Sequence, residues 1–186
     1  LAMSEIKKIS SEIIHKNPWW EYKKDKIILP NGTEGDYYYA ESPGNVVVIP
    51  VADDGRLVLV REYRYLNDKY GLQFPGGGID AGESPIEAAQ RELMEESGYH
   101  TDNLIKIGMF EPSVGMIKDM SHIFIANELS LIQSPQHTAA EQTEMLLRRV
   151  DEFEDMIKRG EIWSGQTLGA WSLARDFILT NLLPSE

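Results

Sequence analysis

The sequence has no cysteine, a shortage of positive charge and no long apolar run, and each absence closes a class of function. Without cysteine there is no disulfide, no thiolate nucleophile and no cysteine-ligated zinc. Such a composition suits a reducing compartment, and no secretory signal is read at the start, so the expected location is the cytoplasm. Lys and Arg number 18 against 30 Asp and Glu, a formal net charge of −12 over 186 residues. A protein that binds nucleic acid indiscriminately needs a basic stripe, so nucleic acid is not an expected partner. An anionic substrate would have to be met by locally placed cations. No apolar stretch approaches the length of a membrane span, so no membrane partner is expected either.

What remains has the make-up of a globular protein, 42% apolar and 26% charged. The length suits one domain with a short appended arm, read here as an arm over 1–43 and a main domain over 44–186. Ile6, Ile9, Ile13 and Ile14 recur loosely, a spacing that fits a helix or a strand lead-in. Alternation then runs from Trp19 to Leu29, Asn31-Gly32 has the chemistry of a tight hairpin turn, and Tyr37 to Ala40 makes a return strand. Ser42-Pro43-Gly44 separates this β arm from Val46–Val51, whose unbroken apolar character reads as a buried strand. Asp53-Asp54-Gly55 turns the chain into a second strand over Arg56–Tyr65, and the two are expected to pair as a hairpin. A short strand over Gln73–Gly76 leads into Gly76-Gly77-Gly78, where the lack of side chains permits close approach of a ligand or metal. Further strands are expected over Leu104–Phe110 and His122–Leu129, loops over Glu111–Gly115 and Gln133–Thr143, and helices over Val150–Gly160 and Gly165–Leu183. The last of these would bury Leu168, Trp171, Leu173, Ala174 and Ile178. Strands before and after one helix, with helices closing the chain, indicate an α/β fold with a mixed sheet covered on both faces.

The helix in the middle carries the chemistry. Ser84 as N-cap, Pro85 at the first helical position and Glu87 three residues after the cap predict its start, and Gly98 its end. Ile86, Ala89 and Leu93 give it an apolar face, while Glu92, Glu95 and Glu96 fall at i, i+3 and i+4 on a neighbouring one. Like charges so placed destabilise a helix by a few tenths of a kcal/mol each, roughly the worth of an ion pair. Solvent is the usual compensation for such a face. A hard divalent cation is the other, and it takes substrate phosphates as additional ligands.

Context chooses between them. Gly77, five residues, Glu83, seven residues, then Arg91-Glu92-Leu93-x-Glu95-Glu96-x-Gly98-Tyr99 resembles the signature of the Nudix hydrolases at every fixed position. Only the last apolar position departs from the commoner choice, being aromatic. The resemblance implies an α/β/α sandwich with a mixed sheet over roughly Asn45–Leu183 and cleavage of a phosphoanhydride with Mg²⁺, or Mn²⁺ in its place. By position in the motif, Glu92, Glu95 and Glu96 are the expected metal ligands. Glu83 stands near the metal, Arg91 orients the carboxylates, and the carbonyl of Gly76 or Gly77 is a further donor. Enzymes similar to this one that cleave ADP-ribose draw their general base from a loop after the last strands, which implies Glu141, with Glu144 as the alternative.

The flanks resemble the branch acting on ADP-ribose and nucleoside diphosphate sugars: Asn17-Pro18-Trp19-Trp20, Leu29-Pro30-Asn31-Gly32, Val60-Arg61-Glu62-Tyr63-Arg64-Tyr65, Gly160-Glu161-Ile162 and Pro112. Where many ADP-ribose enzymes have Pro-Gly after that proline, this chain has Ser113-Val114-Gly115, which leaves the choice of sugar open. Arg61 and Arg64 are candidates for the diphosphate, and a separation of three along a strand puts them on opposite faces, with Arg64 preferred. Trp19 and Trp20 are candidates for stacking on a base, or for core or dimer packing. His122 reads as a satisfied structural residue. In this branch the arm commonly crosses to a second subunit, so a homodimer is expected. The expected reaction yields a nucleoside monophosphate and a sugar phosphate. The alternatives are a hydrolase of nucleoside triphosphates or dinucleoside polyphosphates, and a Nudix domain that senses nucleotide without cleaving it.

Overall fold

A strand without polar side chains has to be covered on both faces, and the apolar run after Asn45 is such a strand. The computed structural model describes residues 5–134 and 143–183. The chain forms β1 (Lys7–Lys16), β2 (Glu21–Ile28), β3 (Glu34–Glu41), β4 (Asn45–Pro50), β5 (Leu57–Arg64) and β6 (Lys69–Gln73), then helix α1 (Pro85–Ser97). It continues through β7 (Tyr99–His100), β8 (Asn103–Phe110), β9 (Ile117–Lys118), β10 (Ser121–Asn127), β11 (Ser130–Leu131) and β12 (Glu144–Arg148), and closes with α2 (Val150–Lys158) and α3 (Gly165–Asn181).

Strand β4 divides the core by alternation. Val46 and Val48 pack with Ala88, Ala89 and Leu93 of α1 and with Phe124. Val47 and Ile49 face the other way, into a cluster with Phe74, Phe153, Trp171, Ala174 and Ile178. Helix α1 thus covers one face and α2 and α3 the other, which is the α/β/α arrangement and a mixed-sheet α/β fold. Strand β4 pairs in parallel with β10, whose other edge pairs antiparallel with β8. A second antiparallel sheet has the order β12-β5-β6.

The expected hairpin of β4 with β5 is corrected here. The two strands lie in different sheets, joined only by a bridge from Val51, just past β4, to Leu57, because each has a better partner: β10 for β4, and β6 and β12 for β5. Strand β6 ends at Gln73, earlier than expected, and the next segment runs alongside β4, where Val48 and Val46 donate their N–H groups to the carbonyls of Pro75 (2.8 Å) and Gly77 (2.9 Å). Strand β12 begins at Glu144, which therefore belongs to a sheet. Two face assignments also change. Ile86 is exposed, the inward face of α1 being Ala88, Ala89 and Leu93, and Leu173 is exposed while Thr167 and Ala170 are buried in its stead.

The open choice for the first residues resolves as strand. β1-β2-β3 form antiparallel neighbours, and the two-residue β9 adds to β3 in parallel. This joins the arm to the main domain, and Tyr37 reinforces it by donating its hydroxyl to the carbonyl of Gly115 at 2.6 Å. Among the described residues no helix is long and apolar enough to cross a membrane.

Candidate active site

Helix α1 starts and stops as its sequence dictates. The Ser84 hydroxyl accepts from the Glu87 N–H, the Glu87 carboxylate accepts from the Ser84 N–H at 2.8 Å, and Gly98 takes a left-handed φ of 75° while its N–H donates to the carbonyl of Met94. With the helix so fixed and Leu93 pointing into the core, Glu92 lies on the flank and is only 9% exposed. Arg91 organises the acids around it. Its Nε and Nη2 hold Glu83 in a bidentate pair at 2.9 Å each, Nη1 donates to Glu92 at 2.6 Å and to Glu95 at 3.4 Å, and Nη2 reaches the carbonyl of Gly78 at 2.9 Å. This guanidinium holds the Glu83 carboxyl below the usual carboxylate range.

Glu96 has a different environment. Its carboxylate accepts from the Gly76 N–H at 2.9 Å, and burial, with added repulsion from Glu92 and Glu62, pushes its pKa up to about 8 despite that bond and the nearby Arg64. The neighbouring glycines permit other close approaches. A Cβ on Gly76 would collide with the carbonyl oxygen of Val46, and one on Gly77 with the Glu92 carboxylate.

The donors suit a hard divalent cation in kind: carboxylate and carbonyl oxygens, with one carboxyl so desolvated that a positive charge would relieve it. They are not converged on a common point. Among the described residues no three acidic or imidazole side chains stand in a metal-holding arrangement, because Glu83, Glu92 and Glu95 all turn toward Arg91.

Two cavities lie near this region, the first beside the glycines that contact Glu96 and Glu92. The first, about 220 Å³, is lined by Gly76, Gly77, Gly78, Asn45, Asp119 and Arg64 among others. The second, about 490 Å³, is lined by Trp163, Phe110, Glu111, Ser113, Gln166 and again Arg64. The paired arginines part company as strand alternation requires. Arg64 lies between the cavities, its Nη2 on Glu62 at 2.9 Å and its Nε on the Gln73 side-chain oxygen at 3.2 Å. Arg61 turns away, pairs with Glu144 directly opposite on β12 at 3.2 Å and lies 4.4 Å over the Tyr70 ring. Trp19 and Trp20, 73% and 41% exposed, sit on the turn between β1 and β2, both backbone N–H groups donating to the Asn17 side chain, and line neither cavity. Glu141 lies outside the described residues.

Sequence reasoning missed Glu62, Gln73, Asn45 and Asp119. Glu62 was findable, because it stands two residues from Arg64 on one strand and so shares its face. Asn45 gave no such signal. Its side-chain amide donates to Asp119 at 2.9 Å, which orients it and leaves its buried oxygen without a hydrogen-bond partner among the described residues. His122 is not satisfied as expected, since its buried Nδ1 has no such partner either and burial pushes its pKa down.

The family is decided by the extent of the match. A model described as the NUDIX domain matches residues 42–168. The chain belongs to the Nudix family. As a Nudix enzyme it is a phosphoanhydride hydrolase, and the resemblance read from the motif is borne out over residues 42–168. A second model, the nucleoside diphosphate sugar hydrolase N-terminal domain, matches residues 6–40 of this Nudix chain. An ADP-ribose pyrophosphatase of Bacillus subtilis is 28% identical over 164 residues, covering 88% of this chain and 89% of that one. A GDP-mannose pyrophosphatase of Yersinia enterocolitica is 30% identical over 133 residues, 66% and 69% of the respective lengths. The crystal structure of an ADP compounds hydrolase superposes with a TM-score of 0.84 at 22% identity, covering 97% of both chains, which establishes the fold.

Proposed function

We propose that this Nudix enzyme hydrolyses the diphosphate bond of nucleoside diphosphate sugars, ADP-ribose, GDP-mannose or similar, to a nucleoside monophosphate and a sugar phosphate. The observation that carries the reading is the position of Arg64 between two cavities, with the α1 acids beside one of them. A molecule with two bulky halves joined by a diphosphate fits such a site, whereas a nucleoside triphosphate has only one. The names of the relatives and the match of residues 6–40 support the same class.

Mg²⁺, with Mn²⁺ able to replace it, would be held by Glu92, Glu95 and Glu96, with Glu83 beside them and the carbonyl of Gly76 or Gly77 as a further donor. When bound it supplies charge neutralisation at phosphate oxygens and a more acidic water. The residues of the chain do the rest. Arg91 holds the acids in register, and Arg64 offers its guanidinium fork to the diphosphate. Arg61, engaged with Glu144 and Tyr70, acts as a support of the β5–β12 pair. That engagement favours Glu141 over Glu144 as the base. The base takes a proton from water as its oxygen bonds to one phosphorus, and the bridging oxygen leaves with the other phosphate.

We further read the enzyme as cytoplasmic, and as a homodimer joined through the arm because β1 exposes the apolar side chains of Ile9, Ile13 and Ile14. Trp19 and Trp20 are on that arm, so any contact they make with substrate would be made across the interface. The test is an assay with Mg²⁺ over ADP-ribose, ADP-glucose, GDP-mannose, UDP-glucose, a diadenosine polyphosphate and nucleoside triphosphates, with products separated by chromatography. Two phosphomonoesters from the sugar nucleotides are expected. Pyrophosphate released from triphosphates alone would overturn the reading, as would tight binding without turnover.

A further inference from the structure

Two tryptophans near the C-terminal helix have different surroundings. Trp171 is core, 5% exposed, with its ring centroid 5.1 Å from that of Phe153. Trp163 is half-buried, and its ring lies across Lys69 and Gly71, neighbours on one side of β6. Lys69 Nζ is 4.2 Å from the ring centroid, and a Cβ on Gly71 would come within 2.9 Å of the ring carbon Cζ2. The glycine thus lets the indole lie flat on the strand, and the lysine steadies it. So held, the ring lines the 490 Å³ cavity, whose other walls include Asn67, Glu111, Ser113 and Gln166.

We infer that this cavity receives the glycosyl half of the substrate and that Trp163 is a specificity-determining residue which packs against the sugar ring. The inference rests on the reading of the protein as a nucleoside diphosphate sugar hydrolase. Three observations converge on it. The cavity has the size of a small-molecule site. It meets the first cavity at Arg64, so a diphosphate held there would send one half of the substrate into each. Its walls combine the rings of Trp163 and Phe110 with amide, hydroxyl and carboxylate groups, and that set pairs with the hydroxyls and the C–H face of a sugar. Glu111 weighs against a phosphate in this cavity and for hydroxyl donors.

The test compares Trp163→Ala, Trp163→Phe and Gly71→Ala with the wild type. Trp163→Ala is expected to raise KM for ADP-ribose and ADP-glucose roughly three- to tenfold, the range an aromatic contact supports, with kcat held within about twofold. Inhibition by AMP and ADP should not change, and Trp163→Phe should recover most of the loss. Gly71→Ala pushes the ring into the cavity, so it should penalise ADP-glucose more than ADP-ribose, and it keeps the test alive if the alanine variant at Trp163 fails to fold. An equal loss of affinity for AMP and for the sugar nucleotides would overturn the inference, because the cavity would then hold the base. An unchanged KM for every substrate would overturn it as well. If wild-type enzyme cleaves no sugar nucleotide, equilibrium titration still decides the matter: tighter binding of ADP-ribose than of ADP, lost in Trp163→Ala, supports the sugar site, and equal binding overturns it.

Discussion

The acidic end of α1 and the N-terminal arm depart from ordinary burial in opposite directions. Around α1, carboxylates are drawn inward, with Glu92 and Glu62 each 9% exposed and Glu96 desolvated enough to hold its proton near neutrality. On the arm, Ile6, Ile9, Ile13 and Ile14 face solvent, while charged side chains pair across the sheet. Each arrangement is unfavourable for an isolated chain. The proposed function gives each region a different complement: a cation for the inward acids, a second surface for the outward apolar groups.

The largest effect expected is at the acids. Glu96→Gln and Glu92→Gln should each lower turnover with Mg²⁺ roughly 10²- to 10³-fold, the scale of several kcal/mol of transition-state charge stabilisation. Thermal unfolding of the metal-free variants near pH 8 should show Glu96→Gln no less stable than the wild type. A variant at Glu96 that keeps full turnover would remove it from the metal site. Next comes Arg91, which holds Glu83, Glu92 and Glu95 together. Arg91→Ala should cost about 2 kcal/mol of stability by denaturant titration, below the range for a fully buried pair because the cluster is partly open to water. Arg91→Lys should not restore it, since an ammonium cannot make the bidentate fork with Glu83.

How legible these regions were follows from how local their causes are. The start, end and carboxylate spacing of α1 were readable because capping and helical period act within one turn. The two-sided burial of β4 was readable from its unbroken apolar run. The false hairpin of β4 with β5 shows the limit: a tight turn after a strand predicts adjacency, but pairing is decided by β10 and β12, far along the chain. Glu92, Glu95 and Glu96 were expected to point one way, yet Arg91 draws Glu92 and Glu95 toward Glu83 while Glu96 turns to Gly76, a choice that helical geometry does not make. Arg61 and Arg64 were separable by period two alone. Which of them meets the cavities needed Glu144 and Gln73, residues 83 and 9 positions away.

For the arm, the comparison sharpens if the exposed isoleucines are made polar. Two irregularities in the β1–β2 register fall at Ile9 and Ile14, so the edge of β1 is bulged and poorly suited to ladder pairing with another strand. Association through the arm should then depend on side chains. Ile9→Asp with Ile13→Asp should weaken the dimer at least about tenfold, or about 1.4 kcal/mol, by light scattering across a dilution series, and leave monomer folding nearly unchanged. A wild-type monomer at all concentrations would break the comparison on this side.

The smallest effect expected is at Glu41, and set beside Glu96 it compares the two regions directly, through the sign of their response to pH. Glu96 has a folded pKa of about 8 against an ordinary 4.5, so the native state keeps a proton that the unfolded chain gives up. Stability of the metal-free protein therefore falls as pH rises between those values, by no more than about 1.4 kcal/mol per pH unit, and Glu96→Gln should flatten the slope. Glu41 on the arm behaves in reverse. Hydrogen bonds from Lys118 and then Lys23 hold its carboxyl below the ordinary range, so its contribution is present above that range and is lost as pH falls through the lowered value. Because Lys118 is open to solvent and Lys23 only partly buried, Glu41→Gln should cost under about 1 kcal/mol, and only at neutral pH, not near pH 3. Melting curves of both variants should leave the wild type as pH rises above the ordinary carboxylate range, Glu96→Gln toward higher stability and Glu41→Gln toward lower. Divergence of the same sign would mean that the burial contrast between helix and arm does not govern their charges.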